Sequence, residues 1–221
     1  MKILFEDYYL LVVEKPAGLS SESGKGAYPS LEREALFYIT AQLQKNSTST
    51  RLKATPFLQV AHRLDRPASG VLALAKTKTA LSDLMAQFEK NEVQKTYLAW
   101  TERKPAAEEG TLTNWLKRDE SAKKALVFDQ NVRGSQACTL QYKVLKTKGN
   151  NALLEVNPGG GRFHQIRAQL AHIGSTIMGD TAYGGHFWKE HQIKLHAHRL
   201  VLRHPKSGEM MTFEAPAPEG W

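Results

Sequence analysis

Residues 62–70, His62-Arg63-Leu64-Asp65-Arg66-Pro67-Ala68-Ser69-Gly70, set a dense run of polar side chains between two apolar segments, 57–61 and 70–76. Both flanks read as strands, so the polar run is a tight turn between them. Asp65 sits on that turn between Arg63 and Arg66, and positive neighbours favour a charged carboxylate. Those are the makings of an ionised nucleophile. Asp is also a common turn former, and on residue type alone a turn role with solvated arginines is the more ordinary reading.

Working outward, 3–5 and 9–13 are strand-like on either side of Glu6-Asp7. Ser30 is a candidate N-cap, with Arg33 where a capping box would have Glu or Gln. Leu31, Ala35, Ile39 and Leu43 recur every four residues and predict a helix. The polar loop 45–51 that follows is the segment expected to order on a partner. Leu81, Leu84, Met85 and Phe88 predict a second helix over 79–90. Strand character returns at 94–101, 111–116, 124–128, 137–146, 152–157, 194–203 and 210–214. Lys148-Gly149-Asn150-Asn151 reads as a hairpin turn. A third helix is expected from the glycines at 159–161 to about Ile173, with Phe163, Ile166, Leu170 and Ile173 on its apolar face and Gly174 as its stop. Strands dominate and helices are scattered, so the class is α+β, and no repeat or linker divides residues 1–221 from being one domain.

Two further clusters carry chemistry. In Gly161-Arg162-Phe163-His164-Gln165-Ile166-Arg167, the glycines allow positive φ or a close approach. The unbonded N–H groups of the helix start suit a phosphate. His164 and Arg167, three apart, share a face of the expected helix. No Gly-Lys-Ser/Thr follows, so this is not a P-loop. In Lys95-Thr96-Tyr97-Leu98-Ala99, the Tyr97 ring could stack on a base for roughly 1–3 kcal/mol. A strand tyrosine is more commonly core packing.

Composition sets the limits. Of 221 residues, 30 are Lys or Arg and 22 Asp or Glu, a net charge of +8 that suits a polyanionic partner. Cys138 is the sole cysteine, which excludes an intrachain disulfide and a cysteine-rich zinc site. The first residues lack the apolar core of a signal peptide, and no apolar run is long enough to span a bilayer. A cytoplasmic protein without a membrane role is expected.

Taken together, these segments resemble the RluA-type RNA pseudouridine synthases. HRLDRPASG is similar to that family's HRLD-x-x-(T/S)-S-G signature. GRFHQIRAQLAHIG, followed by Gly179-Asp180 and Tyr183-Gly184, resembles its third motif and GD-x-x-YG, and Lys95-Thr96-Tyr97-Leu98-Ala99 its K-x-Y-x-A segment. Phe5-Glu6-Asp7 with Val12 to Gly18 resembles the opening of the family, and Leu195-His196-Ala197 through His204-Pro205 its closing strands. The likeness keeps its order over nearly the whole chain. It departs at Ala68, where the family has Thr, and at Pro158-Gly159-Gly160, a looser approach to the third motif. The small S4 domain of many relatives has no counterpart here, so this domain itself is expected to choose the target.

The resemblance implies a mixed, mainly antiparallel curved sheet with flanking helices and an active-site cleft across the sheet. It implies an isomerase that converts a uridine of ribosomal or transfer RNA without a cofactor, acting as a monomer with RNA as its partner. Asp65, Tyr97 and Arg167 become the catalytic residues. Asp65 is the essential carboxylate, with addition to the base, attack at C1′ and removal of a 2′ proton all open to it. Arg167 is expected to pair with it, and Tyr97 to stack on the target base. Arg63, Arg66, Arg162, His164, Gln165 and Leu195 are expected at the RNA, with Arg63 filling the gap left by an extruded nucleotide. The basic segment 189–206, with Lys143, Lys146, Lys148 and Arg162, is expected to track phosphates. Two other readings compete. One is a silent RNA-binding module of the same fold. The other is a metal-dependent hydrolase built on His62, Asp65, His164, His172, His196 and His198, for which no spaced ligand set appears.

Overall fold

The computed structural model describes residues 1–24, 29–45 and 55–221. Apart from Lys45, the loop expected at 45–51 lies outside the described residues. Among the described residues the class is α+β, with three α-helices and a large mixed sheet. The chain gathers into two compact units, residues 1–93 with 199–215, and 94–198 with 216–221.

The first unit holds β1 (Lys2–Glu6), β2 (Leu10–Lys15), α1 (Leu31–Lys45), β3 (Gln59–Val60), β4 (Ser69–Ala75) and α2 (Lys78–Glu89). It also holds residues 199–203 of β10 (Leu195–Arg203) and all of β11 (Met210–Glu214). β2 pairs antiparallel with β1 and with β4, and the short β3 lies on the end of β4. All seven residues of β4 are buried, which is why it reads as an unbroken apolar run. Leu10, Val12, Val71, Ala73, Leu84, Leu200, Leu202 and Phe213 share its core, each large side chain contributing about 1.5–3 kcal/mol by burial.

The first helix begins after Ser30 as the sequence predicts, and the second begins one residue before the predicted start, capped by Thr77. Arg33 N–H donates to Ser30 Oγ (3.3 Å), and Ala80 N–H to Thr77 Oγ1 (3.1 Å). The core face of α2 holds Leu81, Leu84 and Phe88 as expected but not Met85, and its fully buried residues include two not expected. Those fully buried are Ala80, Leu84 and Gln87, whereas Met85 is 55% exposed. Gln87 takes a core position because its amide is satisfied there: its Nε2 donates to Arg203 O and its Oε1 accepts from Arg203 N–H.

The second unit holds β5 (Gln94–Thr101), β6 (Glu109–Asp119), β7 (Lys124–Phe128), β8 (Gln136–Lys148), β9 (Asn151–Pro158), α3 (Gln165–His172) and residues 195–198 of β10. Its strands run β5-β9-β8-β6-β7, antiparallel throughout, with Gly149-Asn150 as the two-residue turn between β8 and β9. α3 is shorter than expected. His164 precedes it in a left-handed conformation (φ 52°), so neither Phe163 nor His164 lies on a helix face. The six residues from Gln165 to Leu170 are all buried, and Ile173 is partly exposed. None of the glycines at 159–161 has positive φ. Gly159 is required by close approach alone, since a Cβ there would fall 2.2 Å from Thr139 Oγ1.

The basic segment 189–206 also differs from expectation. β10 is mostly buried: His196 is fully enclosed, and His204, just beyond it, is bonded through Nε2 to Asp7 (2.9 Å). Those two histidines serve the fold, and the segment is not one solvated basic face.

Candidate active site

In the first unit, the turn bearing Asp65 is fixed from several sides through its main chain. Ser21 Oγ donates to Leu64 O (2.8 Å) and accepts from Leu64 N–H (3.0 Å). Gly18 N–H donates to Arg66 O (2.8 Å), and Arg66 Nε donates back to Gly18 O (2.9 Å). Ala68 N–H closes the turn on Asp65 O (3.0 Å). Upstream, His62 stacks on Phe88 (4.6 Å) and accepts from Ala73 N–H through Nε2 (3.2 Å). Asp65 itself is half-buried.

Beneath this turn lies Lys15, fully enclosed at the end of β2. Its ammonium donates to the carbonyls of Pro16 (3.0 Å), Leu19 (2.7 Å) and Arg66 (3.3 Å). Burial pushes Lys15 down to about 7, while the negative charge of Asp65 pulls it back up. The lysine is thus both a strut for the turn and a counter-charge to the carboxylate. Arg63 points outward, 65% exposed, and pairs with Glu22 (2.7 Å).

In the second unit, Arg167 is 5% exposed, and its guanidinium grips Asp180 at two points, Nε to Oδ2 (2.7 Å) and Nη2 to Oδ1 (2.8 Å). This paired fork fixes the arginine in a single plane. Tyr183 binds around it. Its ring lies under the Arg167 guanidinium (5.2 Å), and its hydroxyl accepts from Ala125 N–H (2.7 Å) and meets His164 Nδ1 (3.1 Å). His164 stacks on Phe163 (3.8 Å), and Arg118 covers the Phe163 ring (4.4 Å). His164 and Arg167 therefore come together through Tyr183 and not through a shared helix face.

Gln165 is buried and reaches backward. Its Oε1 accepts from Arg162 N–H (3.2 Å), and its Nε2 donates to Thr139 O (2.7 Å). Arg162 is exposed. Tyr97 is half-buried on β5, opposite Val156 of β9. Its neighbour Lys95 donates to Gly160 O (2.5 Å), and burial lowers that ammonium. Leu195 is buried at the head of β10. Burial raises the Cys138 thiol, with Arg162 opposing, so the lone cysteine is a poor nucleophile.

Two residues of weight escaped the sequence reading. Lys15 has no role in the sequence reading, where it stands only within the Val12 to Gly18 opening. Asp180 was noted in Gly179-Asp180 without a role. Of the histidines proposed for a metal, His172 bonds Asp129 (2.9 Å) and His196 packs on Trp221. Among the described residues no three His, Cys, Asp or Glu side chains gather as a metal would require.

Residues 9–172 match the family described as RNA pseudouridylate synthase. The chain belongs to this family. Ribosomal large subunit pseudouridine synthase D of Zymomonas mobilis is 31% identical to it over 228 residues, covering 99% of this chain and 70% of that one. Dual-specificity RNA pseudouridine synthase RluA of Escherichia coli is 33% identical, covering 97% and 92%. Among solved structures, Human RNA Pseudouridylate Synthase Domain Containing 4 matches with a TM-score of 0.77 at 25% identity, covering 99% and 89%. The synthase is thus an isomerase acting on uridine in RNA. The family match takes in Asp65, Tyr97 and Arg167 but ends before Asp180, Tyr183 and Leu195.

Proposed function

We propose that the synthase converts one specific uridine of ribosomal or transfer RNA to pseudouridine, with Asp65, Tyr97 and Arg167 as its catalytic residues. The N1–C1′ bond breaks, the base turns, and C5 joins C1′; C5 gives up a proton and N1 gains one. Nothing is oxidised and no group is transferred, so the reaction needs no cofactor. Asp65 is the essential carboxylate, and the Tyr97 ring takes the base. Extruding that base costs a few kcal/mol. Arg63, exposed and tied to Glu22 by a pair that water screens, moves into the gap at little cost. Arg66, Arg162, His164, Gln165 and Leu195 line the path of the RNA or support those that do. We read the 221 residues as one catalytic domain, working in the cytoplasm as a monomer.

One observation carries this reading: a half-buried carboxylate stands on a turn locked through its main chain, with a buried ammonium as counter-charge. That arrangement invests structure in placing Asp65. The test is a pseudouridine map of total RNA from cells lacking the gene, complemented by wild type or Asp65→Asn. A site lost on deletion and restored by wild type alone is the expected result, and it names the substrate. Restoration by Asp65→Asn would remove Asp65 from the chemistry.

A further inference from the structure

A cluster in the second unit lies outside the catalytic and RNA-lining residues named under the proposed function. Trp188 carries two ammonium groups over its ring, Lys189 Nζ at 5.0 Å and Lys194 Nζ at 4.8 Å from the centroid. Burial lowers the Lys194 ammonium first, and repulsion from Lys148 and Lys189 lowers it further. Lys148, at the end of β8, adds its charge to that of Lys189 against Lys194, one of the two ammonium groups over the indole. The scaffold beneath is fixed. Lys194 N–H donates to Met178 O (2.9 Å), and its carbonyl accepts from Trp100 N–H (3.0 Å). Gly179 (φ 87°) passes directly under the loop: a Cβ there would lie 2.8 Å from Gln192 O and 3.4 Å from Trp188 Cβ.

Nearby carboxylates are engaged elsewhere, Glu190 with His191 (3.3 Å) and Glu102 with His186 (2.7 Å). Holding three ammonium groups together costs free energy that an incoming anion recovers. The neighbouring Phe187 is 71% exposed, which suits a partner with flat apolar faces as well as charge. Single-stranded nucleic acid has both.

We propose that Lys189 and Lys194, mounted on Trp188, bind the phosphodiester backbone of the substrate RNA together with Lys148, with Phe187 receiving an unpaired base. This rests on the RNA reading above and narrows the broad basic face expected from sequence to one site. The probe is transcribed large-subunit ribosomal RNA bound to the full chain between about 50 and 200 mM salt. Lys189→Gln with Lys194→Gln should lower the slope of log affinity against log salt by about 1.5, at roughly 0.7–0.9 per phosphate contact. Lys189→Arg with Lys194→Arg should keep the slope. Lys78→Gln with Lys90→Gln, an equal loss of charge in the first unit, should keep it too. An unchanged slope in the first pair, or an equal fall in the Lys78 and Lys90 pair, overturns the site. Failure of wild type to form pseudouridine in any RNA would sink the functional reading instead, while the slopes still decide the site.

Discussion

The turn around Asp65 is held through its main chain, whereas Arg167 is held through its side chain. Ser21, Gly18 and Lys15 grip carbonyl and N–H groups at Leu64 and Arg66, so the backbone geometry there does not depend on which side chain stands at position 65. Arg167 has its guanidinium locked in both directions by Asp180 and covered by Tyr183. A residue positioned by its backbone can be replaced without unfolding its surroundings. One positioned by a buried ion pair cannot, because removing either partner strands a charge.

The largest effects should separate these two cases. Asp65→Asn should cut product formation by about 10³-fold or more, as loss of a group that acts in concert with others does, and leave the protein folded, with the melting temperature lowered only as far as Lys15 loses its counter-charge. Asp180→Ala should cost about 3–5 kcal/mol of stability by taking the two-point carboxylate partner from the buried Arg167, read by urea unfolding. Activity should fall with it. If Asp65→Asn unfolds the protein, or Asp180→Ala leaves stability intact, the contrast between the two modes of support is wrong.

The sequence reading did better on strands than on what supports the site. β5, β7 and β11 fall at the predicted limits because apolar runs bounded by turn residues mark both ends. α3 was overextended because the left-handed turn at His164 interrupts a periodicity that runs straight through it. Part of the buried face of α2 was misjudged because Gln87 is made a core residue by a hydrogen bond to Arg203, more than a hundred residues away. The same limit hid Lys15 and Asp180. Each is ordinary in its local sequence, and each takes its meaning from partners that only the folded chain brings near. Asp65, Tyr97 and Arg167 could be singled out from sequence because they stand in long, dense motifs.

Lys15 gives a sharper test of the first mode. Its three carbonyl acceptors are all served only by the charged ammonium, yet burial pushes its pKa down to about 7, well below that of an unfolded lysine. From about pH 7 up to the unfolded value, the unfolded chain binds a proton that the folded chain lacks, so this group makes stability rise with pH. Below that window its contribution is constant. Lys15→Met has no such dependence, so the stability gap in favour of wild type should widen by about 1.4 kcal/mol per pH unit between pH 7 and 10. Paired urea titrations would measure it. A flat gap would mean that the three carbonyls keep the proton in place and the strut stays charged.

The smallest effect isolates a single clasp. Ser21 Oγ serves both main-chain groups of Leu64, the residue immediately before Asp65, and all three groups are enclosed. Ser21→Ala leaves a buried N–H and a buried carbonyl unsatisfied, for about 1–3 kcal/mol. If main-chain support exists to aim Asp65, the loss should exceed what stability alone explains: kcat should drop while KM holds, since Ser21 is not assigned to the RNA. A variant that loses stability with kcat unchanged would reduce Ser21 to an ordinary loop tether, leaving Lys15 and Gly18 as the supports that matter for chemistry.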